Sequence, residues 1–406
     1  MENPRPNIAN HCRTTAKHKS LPLAIYILTI GIFAMVTSEF QVTGMVSIMA
    51  YDLGVSISQI GYLVSLYALA MAFGGPLLAM GLLKTPPKRA LIILYMIFII
   101  GEVVGALANS YLMLMVARII TGAVSGAFFG VTLAICVEIV EEQLRGWAIS
   151  IVLSGIMLGT ILGLPMANLI GTYVGWRESF WTISVLAAIA SVISIFYLPS
   201  IPKLAITSLR AELRGLKNLK LWHVFSTSLL IIGATFAAFT YFTPILKEVT
   251  GYSDGMITTL LTLYGAATIV GNAVVGKLAD RHSIITLAIG LISLTLFLLL
   301  FSLFADKKLL AALSIIGIGL VGVTMNPAMV TRVMQTANGR PLVNTIHSSV
   351  ITLGIVIGSF LGGFCLNLGW GLQAPLWVGV CMALIGLITL LPDIFTLYRE
   401  NNTSNK

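Results

Sequence analysis

Long apolar stretches alternate with short polar turns along almost the whole chain. Twelve windows are long enough to cross a bilayer as helices: 23–50, 57–83, 90–108, 111–138, 146–173, 179–199, 222–246, 256–279, 283–304, 309–334, 342–368 and 373–398. Each approaches or exceeds the roughly 20 largely apolar residues that a spanning helix needs. Glycine and proline inside them are tolerated, because neighbouring helices re-satisfy freed backbone groups. Residues 1–22 are polar and carry Arg5, Arg13, Lys17 and Lys19. The apolar run that follows contains Glu39 and exceeds the short core of a signal peptide, which predicts a cytoplasmic tail leading into a first spanning helix.

Charge then orients the spans. With twelve crossings both ends lie on one side. Nineteen of the 24 Lys and Arg residues fall on that side: the four tail residues, Lys84, Lys88 and Arg89, Arg145, five in the central loop, Lys277 and Arg281, Arg332 and Arg340, and Arg399 with Lys406. The opposite side has only Arg177, Lys247, Lys307 and Lys308, and Arg118 lies within a span. Cytoplasmic loops carry the basic excess, so the pattern predicts both ends in the cytoplasm. Composition agrees: 57% of residues are hydrophobic and 10% charged, leaving too little polar surface for a soluble globule of 406 residues. The net charge of +9 is scattered and describes no nucleic-acid groove. Cys12, Cys136, Cys365 and Cys381 lack the paired spacing of a zinc site.

The chain also repeats itself at about half its length. Leu66-Tyr67-Ala68 and Leu263-Tyr264-Gly265 lie 197 residues apart. The ladder Gly155, Gly159, Gly163 recurs 199 residues later as Gly354, Gly358, Gly362, and Gly175-Trp176 recurs as Gly369-Trp370. The expected organisation is a tail (1–22), a six-helix bundle (23–199), a basic cytoplasmic linker (200–221), a second six-helix bundle (222–398) and a tail (399–406). Parallel halves with a site between them near the midplane are a transporter design.

Ionisable residues inside the spans are the first candidates for chemistry, since charge at that depth is costly. Glu39 reads as a proton carrier; its competing reading is a structural carboxylate bonded to a neighbouring helix. Arg118 keeps its charge and must face the interior. It is expected either to exchange partners with Glu39 or Glu102, or to form a fixed pair joining spans 1, 3 and 4. Glu102 lies near an outer turn and is expected to reach interfacial water. Candidate substrate contacts are Tyr67, Phe128, Phe129, Tyr241, Phe242, Tyr264, Asn326 and His347; Tyr67 and Tyr264 are favoured as repeat-related, a lone aromatic is more often lipid-facing or packing, and a bonded histidine is an equal reading of His347. The almost uncharged second half suits a neutral or amphipathic small molecule. No phosphate-binding loop, metal cluster or nucleophilic triad is present, so neither an enzyme nor a cofactor is expected.

Several segments resemble the major facilitator superfamily across essentially the whole chain. Leu114-x-x-x-Arg118-x-x-x-Gly122 resembles its buried-arginine motif. Gly155-x-x-x-Gly159-x-x-x-Gly163-x-Pro165 resembles the antiporter motif of drug:proton exporters. Gly276-Lys277-Leu278-Ala279-Asp280-Arg281 resembles its cytoplasmic gate loop. Thr37-Ser38-Glu39-Phe40, read on to Leu53-Gly54-Val55-Ser56, is similar to the arabinose-efflux and chloramphenicol-resistance branch. Leu83 stands where the first gate loop usually has an acid, although Lys84, Lys88 and Arg89 keep its basic part. Leu164 separates Gly163 from Pro165, where the usual motif has them adjacent.

The resemblance implies an all-α membrane fold of two pseudo-symmetric six-helix bundles. It implies that the helices carrying the glycine ladders, spans 5 and 11, line the contact between halves, that Pro165 bends its helix, and that Asp280 with Arg281 latches one state; tight packing alone is the other reading of the ladders, and a solvated turn that of Asp280. The expected activity is proton-coupled efflux of a small drug, sugar or metabolite by a monomer in the bacterial inner membrane. An importer or facilitator of the same fold is the alternative, and a membrane-embedded enzyme or sensor a remote one. Substrate, protons and the bilayer are the expected partners, and nucleic acid is not.

Overall fold

A computed structural model describes residues 21–141, 144–201, 218–336 and 341–404. Among the described residues twelve helices are long and apolar enough to cross a membrane. They are α1 Leu23–Gly44, α2 Ile57–Leu82, α3 Pro87–Ala106, α4 Tyr111–Glu138, α5 Trp147–Tyr173, α6 Trp176–Tyr197, α7 Leu219–Val249, α8 Asp254–Ala279, α9 His282–Phe304, α10 Lys308–Thr336, α11 Ile346–Asn367 and α12 Ala374–Phe395. The first predicted window is corrected: the helix stops at Gly44, and Val46–Leu53 forms a separate short helix. Residues 1–20, most of the predicted linker (202–217) and residues 405–406 fall outside the described residues, so the tail and linker assignments rest on sequence.

Local signals fix several boundaries. Ser56 and Gln59 form a reciprocal cap at the start of α2, and Ser110 caps α4. Pro76 and Pro165 each follow a widened π turn, Ala70–Gly74 and Gly159–Gly163. The ring of a helical proline collides with the preceding turn and removes one hydrogen bond, and the wider turn accommodates both losses.

The internal repeat is visible in packing. An added Cβ on Gly122 would strike the carbonyl of Tyr67, and one on Gly319 would lie 2.8 Å from the carbonyl of Tyr264. Gly155 lies against the Thr29 carbonyl and Gly354 against that of Leu229. Likewise Gly159 approaches Phe33 and Gly358 approaches Gly233, while Gly163 faces Thr37 and Gly362 faces Ala237. The ladders therefore let α5 press on α1 and α11 on α7, each within its own half. The close backbone approach expected of these glycines is thus made inside each half. A Gly358→Val substitution is expected to prevent folding of the second half, read as loss of monodisperse protein in detergent, because its Cβ meets backbone that has no room to move.

Other faces of the same helices line the contact between the halves, as expected of spans 5 and 11: α11 meets α2, and α5 meets α8. Ser58 Oγ donates to Asn367 Oδ1 (2.5 Å), and Asn367 Nδ2 donates to Tyr62 Oη (3.0 Å). Ser65 and Ser359 hydroxyls are 2.6 Å apart. Thr243 donates to the Thr43 carbonyl (2.9 Å), and Thr258 donates to Asn168 Oδ1 (2.5 Å). All of these lie in the distal part of the bundle, away from the face where α1 begins.

On the distal surface Asp52 accepts from Trp176 Nε1 (2.8 Å) and Arg177 Nη1 (2.7 Å), tying the short helix Val46–Leu53 to the start of α6. These two donors hold the Asp52 carboxyl below the usual carboxylate range. A lowered folded-state value means stabilisation present above the unfolded carboxylate pKa of about 3.9 and lost as pH falls through the folded value. The pair is part exposed, so Asp52→Asn is expected to cost at most about 1 kcal/mol near neutral pH. The wild-type advantage in thermal unfolding is expected to fade as pH falls below about 4 and to be gone below the folded-state value.

Candidate functional site

The charges predicted within the spans converge in the first half. Glu102 on α3 and Arg118 on α4 are both 0% exposed. Arg118 does not bond directly to either acid. Its Nη1 donates to the carbonyl of Ser38 (2.7 Å) and its Nη2 to that of Glu39 (3.1 Å), both on α1. The guanidinium also lies 4.0 Å over the Tyr67 ring, a cation–π contact from α2. Tyr67 is held by Ser125 (2.6 Å) and by donation to the Met35 carbonyl (3.2 Å). Gly122 makes this possible by letting α4 close onto the α2 backbone.

Glu102 accepts from Ser38 Oγ (2.5 Å) and from Gln41 Nε2 (3.2 Å). It has no exposed surface, which corrects the expectation that it reaches interfacial water. Ser38 and Gln41 carry no assigned role in the sequence reading. Their signal was polar spacing of three within an apolar helix, which turns both toward one neighbour.

Glu39 differs from Glu102. Between Gly31 and Gly44 only Phe33 and Glu39 are part exposed, and the other residues are buried. This stretch of α1 is enclosed by α2, α4, α5, α6 and α7, so the surface of Glu39 opens inside the protein. Its carboxylate lies within electrostatic reach of Arg118 and Tyr67, and no hydrogen bond to it is found among the described residues.

The next residue, Phe40, faces a different space. A cavity of about 60 Å³ lies between the halves, lined among others by Phe40, Thr160, Phe236, Phe239, Tyr264 and Asn272. Phe40 packs on Phe236 and Phe239 at centroid distances of 6.2 and 5.5 Å. The wall is aromatic and uncharged. Its hydroxyls Thr160, Thr268 and Thr324 donate to their own helix backbones at 3.0, 2.7 and 2.6 Å, so they turn only acceptor lone pairs to the cavity. The space is well below the roughly 300–1,000 Å³ of organic ligand pockets, so an organic guest requires the helices to part. A larger open hollow of about 410 Å³ is bordered by Pro86, Lys88 and Arg89 around the start of α3 and by Ser200 after α6, and shares no lining residue with this cavity.

The other sequence candidates divide clearly. Tyr264 lines the cavity, and Phe242 packs behind it. Tyr241 is buried near the α2–α11 contact and donates to the Ser359 carbonyl (3.0 Å). Phe128 is corrected: it is fully buried within the first half, edge-on to Tyr95 at 4.8 Å, and does not reach the cavity. Phe129 is half-buried and Asn326 exposed, and neither lines the cavity. His347 sits inside the second half, 2.8 Å from Ser228 Oγ and stacked on Phe225. Pro165 follows the π turn of α5. Lys88 donates to the Leu198 carbonyl (2.6 Å), while Lys84 and Arg89 are exposed. The side chains of Asp280 and Arg281 fall outside the described residues. Among the described residues no group of His, Cys, Asp and Glu is arranged to hold a metal.

Comparison with known proteins places this geometry in context. The chain is 32% identical over 385 residues to the MFS-type transporter YtbD of Bacillus subtilis, covering 93% of this chain and 96% of YtbD. It is 29% identical over 378 residues to a chloramphenicol resistance protein of Streptomyces lividans, covering 92% and 96%. The inner membrane transport protein YdhP of Escherichia coli is 32% identical over 362 residues, with 89% and 93% covered. The fold of this chain is shared with a crystal structure of a bacterial homologue of the human lysosomal transporter Spinster, described as inward-facing and occupied. The TM-score is 0.72 at 14% identity, over 90% of this chain and 95% of that one. The family model of the Major Facilitator Superfamily matches residues 28–340, and the twelve-helix chain, a transporter and not an enzyme, belongs to that superfamily.

Proposed function

We propose that the protein is a proton-coupled exporter of a small neutral or amphipathic molecule, working as a monomer with both termini in the cytoplasm. The observation that carries this reading is the placement of Glu39 and Phe40 on one turn of α1. One residue meets the buried charges, and the next lines the cavity between the halves. Protonation of Glu39 changes the field around Arg118, whose guanidinium grips the backbone of that same turn. A shift of the turn moves Phe40, and with it the cavity wall. The substrate suited to that wall has an apolar or aromatic body and N–H or O–H donors for the threonine oxygens.

In this reading the distal hydrogen bonds close the outer side, and the state is open toward the cytoplasm. A proton entering from outside is worth about 2.3 kcal/mol per 100 mV before any pH gradient. Export direction is supported by the antiporter-type sequence of α5 and by the name of the Streptomyces relative.

The test begins with a resistance panel on overexpression, led by chloramphenicol. Compounds that score are followed by flux in energised inverted vesicles. Accumulation that collapses with a protonophore is expected. Accumulation indifferent to the protonophore rejects proton coupling, and uptake in the opposite sense identifies an importer.

A further inference from the structure

Building on the proton-coupled reading, we propose that the two buried glutamates have opposite duties. Glu102 is the permanent counter-charge of Arg118, positioned by Ser38, Gln41 and Ser179, and Glu39 alone exchanges the proton.

The hydrogen-bond pattern separates them. Both Glu102 oxygens face donors, Ser38 Oγ at 2.5 Å and Gln41 Nε2 at 3.2 Å. The Gln41 amide nitrogen has no acceptor capacity. Its orientation is set from behind, where Ser179 Oγ on α6 donates to Gln41 Oε1 at 3.4 Å. A proton on Glu102 Oε2 would set donor against donor. Glu102 also has no accessible surface through which a proton would arrive. Arg118 meanwhile is a fully buried cation bonded only to carbonyls, and a cation in that position requires a negative partner nearby. Glu102 supplies it through the same turn of α1: Ser38 gives its hydroxyl to Glu102 and its carbonyl to Arg118.

Glu39 has the complementary properties, an internal accessible surface and no donor holding it. The charged and titratable groups facing it are Arg118 from α4, Tyr67 from α2 and, through Ser38, Glu102 from α3. Helix α5 carries no charged residue. Arg177 and Glu178 of α6 lie at its distal start, Arg177 engaged with Asp52. Lys220, Lys247 and Glu248 of α7 are exposed at its ends. With Glu39 protonated the cluster is neutral, and with Glu39 ionised it carries one net negative charge. The proton exchange is thereby concentrated on the group that adjoins Phe40.

Infrared difference spectra between acid and alkaline pH test this on the full-length protein in lipid nanodiscs, with no ligand added. In wild type a neutral-carboxyl band is expected on acidification, over a background of surface carboxyls common to every variant. Glu39→Gln is expected to remove it. Glu102→Gln is expected to keep it but to move its midpoint down by about one pH unit, a tenfold loss of proton affinity, because Glu39 then becomes the counter-charge of Arg118. The double variant Ser38→Ala, Gln41→Ala keeps the acid and removes its donors, and is expected to add a second titrating band. It also serves if Glu102→Gln does not fold. A band lost in Glu102→Gln and kept in Glu39→Gln overturns the assignment alone. A spectrum in which neither substitution changes the titration overturns the proton-coupled reading and this assignment together.

Discussion

Replacing Arg118 with alanine is expected to abolish transport and to destabilise the protein by about 3–5 kcal/mol, the usual cost of breaking a buried charge arrangement from one side. Three separate losses follow from the one truncation. The carbonyls of Ser38 and Glu39 lose their donors, the Tyr67 ring loses its cation, and Glu102 is left as an uncompensated buried charge. Lysine does not rescue, because one ammonium cannot reproduce the planar fork that reaches two successive carbonyls and also stacks on a ring. Thermal unfolding in nanodiscs measures the stability loss. If the loss arises from charge, the combined exchange Arg118→Met with Glu102→Gln recovers much of it without recovering transport. Equal stability for the single and combined variants would mean that shape and not charge dominates.

Cross-linking the halves at their distal contact is the second large effect. Ser65 and Ser359 place their hydroxyls 2.6 Å apart, one on α2 and one on α11. Cysteine at both positions replaces that contact with sulfurs that need only a small adjustment to form a bond of about 2.05 Å. In a background without the native cysteines, oxidation of Ser65→Cys with Ser359→Cys is expected to stop flux completely, and reduction to restore it. The reason is geometric: alternating access requires the distal face to open, and these hydrogen bonds join the halves on that side. Full flux in the oxidised protein would show that the distal face does not separate during transport.

Sequence pattern carried the architecture further than it carried the site. Spans were legible because a bilayer demands long apolar helices, and the window 111–138 coincides with α4 as found. The break after Gly44 was not legible, since the short helix Val46–Leu53 is nearly as apolar as α1. Glu39, Arg118 and Glu102 stood out as charges in apolar surroundings, and the structure brings them to one turn of α1. Their bonding was not legible. Arginine reaches backbone carbonyls that every residue possesses, and composition gives no signal of which carbonyl is used. The glycine ladders announced close helix packing correctly, but periodicity does not name the partner helix, which proved to be α1 and α7 within each half. Phe128 and Tyr264 looked alike as aromatic candidates. Only the packing of Tyr95 against the first separates core from cavity wall.

Substrate exchange and proton-driven accumulation, compared in the same proteoliposomes, test most directly whether Glu39 links the two movements. A compound selected by the resistance panel serves as the probe. With Glu39→Gln, exchange of labelled for unlabelled probe at equal concentration is expected to continue, because the cavity and the rocking halves are intact, while accumulation driven by a pH gradient falls to background. Accumulation at the wild-type level in that variant would contradict the account.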